Sequence, residues 1–379
     1  MKKTFLAAAV ISALVASTAA SAATVYDKDG TVLNVNGRIE AQWYNAGSYS
    51  NMTGKTGNND SSIYNWARMG LDGRSKLNDY ATAFGKMEFD VADGDRDIKE
   101  KDDKTGMSAR DQFIGVDFGK FGKIQTGRYK SLLQTVVAVT DVLAGDGESG
   151  KTFVIGDERN AGKLTYTWNG YGFLFGAEYQ SAKNGYKDHG PKFNVESGYS
   201  VIAGYTTPAV LFGPISIKAG YSYMNGQDDP MAKLAEGVEL VDSQDGWVAS
   251  LSWGVPSAGW YFAGEYSTKT TEYYVVNNVK ELDLEQSGFE IVGKYSFANG
   301  LSLATGYQYE RAEQGKETIK SSQIPVVVEY NFNPNFKVYA QANFGVNSTK
   351  ENGKVITDYG SKPTYGEGND FAVGARYTF

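Results

Sequence analysis

Residues 130–157 read KSLLQTVVAVTDVLAGDGESGKTFVIGD, and this stretch decides how the rest of the chain can be arranged. It is too long to be a turn between neighbouring antiparallel strands, which usually takes about two to five residues. The acids within it are Asp141, Asp146, Glu148 and Asp157. The short, alternating segments around it supply isolated arginines, namely Arg38, Arg68, Arg110 and Arg159. We interpret the stretch as a loop folded into a β-barrel, with its acids facing those arginines.

The composition favours strands over helices. The chain has 379 residues, with 45 Gly, 26 Tyr and 19 Phe against 8 Pro, a mixture typical of strands, tight turns and aromatic belts. The formal net charge of −7 argues against a nucleic-acid partner, because phosphate neutralisation needs clustered Lys and Arg. The absence of cysteine excludes a disulfide framework and thiolate chemistry. We expect neither a cofactor nor a metal centre.

The first residues predict export. Lys2 and Lys3 precede an apolar run at 5–16, and Ala20, Ser21 and Ala22 fit a cleavage site of the A-x-A type. We expect residues 1–22 to be a signal peptide and residues 23–379 to form the barrel, with the formal charge changing from −7 to −9 on cleavage. No later segment has the ~18 consecutive apolar residues of a membrane helix. The exported chain is therefore periplasmic and soluble, secreted, or a β-barrel.

Alternating segments of about ten residues follow from Thr31 onward, which is the pattern of a transmembrane barrel. Polar and apolar side chains alternate at 36–43, 172–180, 247–253 and 371–379. A soluble sandwich would show the same alternation. Aromatic residues near predicted strand ends suit the girdles at a membrane interface, and they include Trp168, Tyr171, Phe297, Tyr330, Phe332 and Phe336. An unpaired arginine facing lipid costs about 2–4 kcal/mol near the midplane, so we expect the arginines to face inward.

Connection lengths indicate the number of strands. Short turns are predicted near residues 78–79, 120–122, 169–170, 298–300 and 333–335. Long polar stretches are predicted at 46–62, 93–107, 130–157, 183–195, 225–243, 271–285, 313–321 and 348–366. Eight long and about seven short connections predict an all-β fold, a 16-stranded antiparallel transmembrane β-barrel with an inward-folded constriction loop. The strands near 87–91 and 108–118 alternate poorly, so their faces are not assigned.

Several motifs in order resemble the trimeric general diffusion porins of Gram-negative outer membranes. The motifs are ATVYDKDGT at 23–31, NWARMGLDG at 65–73, GRY at 127–129 with TD at 140–141, and YTF at 377–379. The resemblance spans the chain after residue 22. It implies passive diffusion of small hydrophilic solutes and ions, a homotrimer, and residence in the outer membrane of a Gram-negative bacterium beside lipopolysaccharide.

The resemblance also assigns roles to individual residues. It implies a pore constriction at which Arg38, Arg68, Arg110 and Arg159 face Asp141. The second loop acid of the family falls on Gly145, so cation preference should be weak unless Asp146 or Glu148 takes that role. Residues 93–107 would latch onto a neighbouring subunit. Phe379 would belong to the signal read by the barrel-assembly machinery.

Three motifs formally match sites of other functions, but each lacks a required part. Residues 145–152, GDGESGKT, match a phosphate loop, but the following TFVIGDERN lacks the required helical pattern. His189 is the single histidine and could serve an outer-membrane barrel hydrolase, although no G-x-S-x-G occurs. Residues 27–30 are similar to the start of a calcium loop whose glutamate position is taken by Arg38. The alternative function is that of a substrate-selective porin, for example for sugars, which would need a ladder of inward aromatic residues.

Overall fold

The computed structural model describes residues 22–46, 62–92, 107–143, 155–156, 158–188, 192–228, 241–276, 279–280, 283–346 and 369–379. The signal-peptide prediction falls on residues 1–22, almost all of which lie outside these ranges. The strands are β1 (Ala23–Lys28), β2 (Thr31–Ala46), β3 (Ser62–Asn78), β4 (Ala81–Ala92), β5 (Met107–Asp117), β6 (Lys123–Lys130), β7 (Arg159–Gly170), β8 (Phe173–Gln180), β9 (Lys183–Tyr186), β10 (Phe193–Val210), β11 (Gly213–Gly226), β12 (Val241–Val255), β13 (Ala258–Tyr273), β14 (Val275–Val276), β15 (Val279–Lys280), β16 (Leu284–Ser296), β17 (Leu301–Gln314), β18 (Glu317–Asn333), β19 (Phe336–Gly345) and β20 (Asn369–Thr378). A short helix, α1, spans Gln134–Val137, and a 3-10 turn spans Gly119–Phe121.

Sixteen of these strands close a single antiparallel barrel. The ring closes at β2, which pairs with β3 on one edge and with β20 on the other. Strand β1 continues the β20 edge of β2, and β9 continues the β8 edge of β10. Strands β14 and β15 form a separate hairpin. The predicted all-β, 16-stranded antiparallel barrel is therefore confirmed. No helix in the described ranges is long and apolar enough to cross a membrane.

The C-terminal residue completes the closure. Gly37 donates its N–H to the Phe379 carbonyl at 2.8 Å, and Phe379 donates its N–H to the Gly37 carbonyl at 2.9 Å. A Cβ atom at Gly37 would lie 2.6 Å from the Arg68 carbonyl oxygen and 2.7 Å from the Phe379 ring. Glycine at this position therefore lets the terminal ring lie directly against β2.

The two faces of the barrel wall differ in chemistry. Along β13, exposed Phe262 and Tyr266 alternate with buried Glu265 and Lys269. Large exposed aromatic residues cluster around the short turns, where Tyr171 is 94% exposed and several rings contact one another. The face assignments predicted for 36–43, 172–180, 247–253 and 371–379 are confirmed by the burial pattern. The outer face is thus apolar and girdled by aromatic residues, while the inner face is polar.

Short turns mark one end of the barrel, which we call the short-turn end. They join β3–β4, β5–β6, β7–β8, β10–β11, β12–β13, β16–β17 and β18–β19, and Thr378 bonds to Asn335 at the same end. Short turns occur near all five predicted positions, although the one predicted at 169–170 lies at 171–172, and the turns at 211–212 and 256–257 were missed. The predicted long stretch at 313–321 is wrong, because Gln314 pairs with Glu317 across a two-residue turn. Strands β17 and β18 extend there with polar residues on both faces, and such a composition resembles that of a loop.

Candidate pore constriction

The described part of the long connection after β6, residues 131–143, lies inside the barrel and is here called the lumen loop. Leu133, Val136 and Val137 are completely buried against Ile202 and Val248. Those two wall residues alternate with exposed outer residues along β10 and β12, so the loop contacts the inner face. An apolar strip on the loop thus packs on an apolar strip of the wall.

Further along, polar contacts fix the lumen loop to the wall. Tyr261 donates its hydroxyl to the Val139 carbonyl at 2.6 Å, and Thr140 donates its hydroxyl to Glu290 Oε2 at 2.6 Å. Leu143 then packs beside a cluster formed by Ala304, Val327 and Tyr339. The loop therefore crosses the inner wall from the β8 side to β19.

The end of the β6–β7 connection is also held in place by hydrogen bonds. Gly156 donates its N–H to both carboxylate oxygens of Asp188, at 2.9 and 3.0 Å, and Lys269 donates to the Asp188 carbonyl at 2.5 Å. The Asp188 side chain lies in the β9–β10 connection and is only 3% exposed. Burial raises the pKa of this carboxyl from 3.8 to about 6.

Another wall of the lumen carries a cluster of ion pairs. Arg68 on β3 donates to Asp90 at 3.0 Å, and Arg110 on β5 donates to Glu88 at 2.8 Å and to Asp90 at 2.6 Å. Lys86 lies 2.9 Å from the second Glu88 oxygen. Because charges of both signs alternate across three strands, fixed cations and anions lie side by side on the wall.

A bulge in β5 brings two consecutive residues onto this wall. The β4–β5 register gains one residue on β5 between Ala109 and Gln112, so Arg110 and Asp111 both oppose β4 at the level of Glu88. Asp111 accepts a hydrogen bond of 2.6 Å from Arg159 Nε. The bulge reverses the phase of alternation, which is why the faces at 108–118 could not be assigned from the sequence.

Arg38 and the barrel seam lie next to the cluster. Arg38 is the direct register partner of Arg68 across β2 and β3. Two residues on, the Glu40 side chain is fully buried and accepts bonds of 2.6 Å from both Arg376 Nε and Tyr339 Oη. The structure thus places Arg38, Arg68, Arg110 and Arg159 on the wall formed by β2–β7.

Sequence reasoning missed several of the charged partners on this wall, namely Glu40, Lys86, Glu88, Asp90, Asp111 and Arg376. For three of them the signal was present, since K-M-E-F-D at 86–90 places a charge at every second residue. The inward direction of Arg110 and of Asp111, the partner of Arg159, depends in contrast on the β5 bulge.

Several other predicted features are partly or wholly outside the described residues. Asp141 is described and exposed at the end of the turn after α1, with its N–H bonded to the Ala138 carbonyl at 3.2 Å. Asp146, Glu148, the phosphate-loop match at 145–152 and His189 lie outside the described ranges.

Residues 27–30, the partial match to a calcium loop, form the tight β1–β2 turn, with φ of 54° at Asp29 and 75° at Gly30. Within the described residues, no group of three or more His, Asp or Glu could hold a metal.

A closed barrel with an apolar outer face, a polar inner face and a loop folded into its lumen defines a channel protein of an outer membrane. A family model described as "Gram-negative porin" matches residues 7–352. The chain belongs to this family. It is accordingly an outer-membrane channel of a Gram-negative bacterium and not an enzyme.

Individual relatives are distant in sequence and similar in length. The chain is 27% identical to outer membrane porin F of Salmonella typhimurium over 395 residues, covering 100% of both chains. It is 26% identical to outer membrane protein U of Vibrio parahaemolyticus over 385 residues, again covering 100% of both.

Solved structures share the fold. Salmonella typhi OmpF in complex with daunomycin superposes with a TM-score of 0.70 at 20% identity, covering 94% of this chain and 100% of that one. An anion-selective porin from Comamonas acidovorans superposes with a TM-score of 0.62 at 15% identity, covering 92% and 100%.

Proposed function

We propose that the protein mediates passive diffusion of small hydrophilic solutes and ions through a charged constriction in each protomer. The main support for this proposal is that the lumen loop packs against the β8–β19 side of the lumen, whereas the ion-pair cluster lies on the opposing strands β3–β5. Solutes would pass between these two surfaces. No cofactor and no turnover are required.

Electrostatics gives the constriction its selectivity. Arg38, Arg68, Arg110 and Arg159 would face Asp141, with Asp146 and Glu148 as further loop acids. Opposed rows of fixed charge produce a transverse field that orients water and polar solutes. An apolar solute would have to disrupt that ordered water, so hydrophilic solutes pass preferentially. Charged rings at a narrow point also set ion preference, and Gly145 in place of a loop acid should weaken cation preference.

We also propose a homotrimer. Outer membrane protein OmpT of Vibrio cholerae, which shares the fold with a TM-score of 0.63, was solved in a trimer form. Several outward residues of β2–β5 are small, including Ala41, Ala67, Gly85 and Ala109, which would let two barrel walls approach closely. The latch predicted at residues 93–107 lies almost wholly outside the described residues.

Assembly partners complete the proposal. Lipopolysaccharide would surround the barrel at the end opposite the short turns. The barrel-assembly machinery would read a signal that includes Phe379, and residues 1–22 would be removed on export.

Reconstitution into planar bilayers tests the channel and the trimer together. Purified protein should insert with conductance that rises in steps of three, and liposome swelling should be slower for larger neutral sugars. Absence of conductance would contradict diffusion, and single rather than triple steps would contradict the trimer. Swelling restricted to one sugar would instead favour the substrate-selective porin. That alternative has one supporting observation, an inward row of Phe84, Phe113 and Tyr129 in edge contact.

A further inference from the structure

A recess of about 640 Å³ lies in the wall at the short-turn end, between β3, β4, β5 and β6. Its lining includes Arg74, Tyr80, Phe84, Asp117 and Lys123. This volume falls within the range of about 300–1,000 Å³ that is usual for small-molecule sites. In a Gram-negative outer-membrane barrel the short turns face the periplasm, so the recess lies at the periplasmic mouth.

The strand register builds the recess from two neighbouring rows. Lys76, Thr82, Asp117 and Lys123 are successive Cα partners across β3–β6. In the next row towards the ion-pair cluster, Arg74 is the partner of Phe84, which in turn is the partner of Gly115. Regular strand pairing therefore forms the wall of the recess, and the turn residues Gly30, Asp79, Tyr80 and Gly119 complete its lining.

Among the described residues, two cations of the recess, Arg74 and Lys123, form no ion pair, although Asp117 is the cross-strand partner of Lys123. Lys76 is paired with Asp79 at 2.7 Å, and Asp117 accepts a hydrogen bond of 2.7 Å from the Gly119 N–H at the start of the 3-10 turn. Considering only residues that the structure describes, no carboxylate lies within 4.0 Å of the Arg74 guanidinium or the Lys123 ammonium. These two groups remain available to an anion.

An aromatic ring lies between them. A Cβ atom at Gly115 would approach the Phe84 ring to 2.4 Å, so the ring lies directly over the glycine and against β5. Phe113 meets this ring in an edge contact with centroids 6.3 Å apart. Tyr80 adds a second, largely exposed ring at the rim. The half-buried Phe84 ring thus offers a supported apolar surface to the recess.

We propose that the recess binds organic anions in which a carboxylate is attached to a flat ring. The planar Arg74 guanidinium would hold the carboxylate in a bidentate manner, with Lys123 adding charge from the opposite edge. The ring of the ligand would pack on Phe84 in an offset or edge geometry. The proposal goes beyond unassisted diffusion, since such a site retains these anions at the periplasmic mouth. It rests on the proposed water-filled channel for access.

The test uses benzoate and acetate, which differ by the ring, in planar bilayers holding the purified full-length protein. Benzoate added during KCl conduction should cause a saturable current block, and acetate should bind at least tenfold more weakly. The double variant R74Q/K123Q should weaken the benzoate block at least tenfold. F84L should weaken the benzoate block severalfold and leave acetate unchanged. K120Q is the matched control, because Lys120 is an exposed cation on the adjoining turn outside the recess.

KCl conductance separates failure of this inference from failure of the channel. A chain that conducts no KCl contradicts the proposed diffusion. Variants that conduct KCl normally are folded, and their benzoate block then reports on the recess. An unchanged block in R74Q/K123Q, an equal loss in K120Q, or equal affinity for acetate and benzoate would each overturn the proposal.

Discussion

Arg110 and Asp111 are neighbours in sequence, yet both side chains face the lumen and form ion pairs with different partners. Arg110 bonds to Glu88 and Asp90, whereas Asp111 bonds to Arg159 at 2.6 Å. A regular strand would send one of the two side chains to the lipid face. The β5 bulge therefore places a cation and an anion at the same level of the lumen wall.

Opposite changes in ion selectivity should follow from neutralising these two residues. R110Q removes a lumen cation and should shift the reversal potential in a KCl gradient towards cation preference, whereas D111N should shift it towards anions. Both shifts should shrink at high salt, because the Debye length falls from about 10 Å at 0.1 M to about 3 Å at 1 M. Shifts of the same sign, or none, would show that the pair does not line the ion path.

Anchoring of the lumen loop should depend on its buried apolar residues. Leu133 is completely buried, so L133A should reduce the free energy of unfolding by about 2–5 kcal/mol through lost contacts and a cavity. The midpoint of thermal unfolding in detergent measures this change. Y261F keeps the packing and removes one hydrogen bond to Val139, so it should cost only about 1 kcal/mol. Equal effects of the two variants would argue against an apolar anchor.

The seam between β2, β19 and β20 should be sensitive to Glu40. Replacing it by Gln leaves the mostly buried Arg376 guanidinium without its carboxylate, which we expect to destabilise the barrel by about 3–5 kcal/mol. Y339F removes a single bond to Glu40 and should cost about 1 kcal/mol. The midpoint of heat-induced unfolding of the barrel in detergent compares the two variants. A smaller decrease of this midpoint in E40Q than in Y339F would contradict the assigned network.

Stability should depend on pH through Asp188. Its pKa is raised by burial from 3.8 to about 6, so the folded protein holds this proton more tightly than the unfolded chain. The contribution of Asp188 to stability is therefore greatest below pH 4 and is lost as the pH rises through about 6. The midpoint of thermal unfolding should decrease more between pH 4 and pH 7 in the wild type than in D188N. The exposed D29N is the matched control, and parallel pH profiles for wild type and D188N would refute this role.

The sequence was sufficient to predict the barrel because alternation is a local property of each strand. It gave the inward faces of Arg38 and Arg68 and the apolar outer stripe of β12. It did not give the inward direction of Arg110 and of Asp111, the partner of Arg159, because a bulge depends on pairing between two strands. A long connection was also predicted at 313–321, where β17 and β18 in fact continue with polar residues on both faces. The buried position of Asp188 depends on loop packing, for which periodicity carries no signal.

Cysteine accessibility tests most directly whether ions pass along the ion-pair cluster. The chain has no native cysteine, so single substitutions can be labelled without background. A charged, water-soluble thiol reagent applied to R110C during conduction should change the current stepwise as each channel reacts. I114C lies on the outer face of the same strand and should show no change. A current change in I114C but not in R110C would contradict the account.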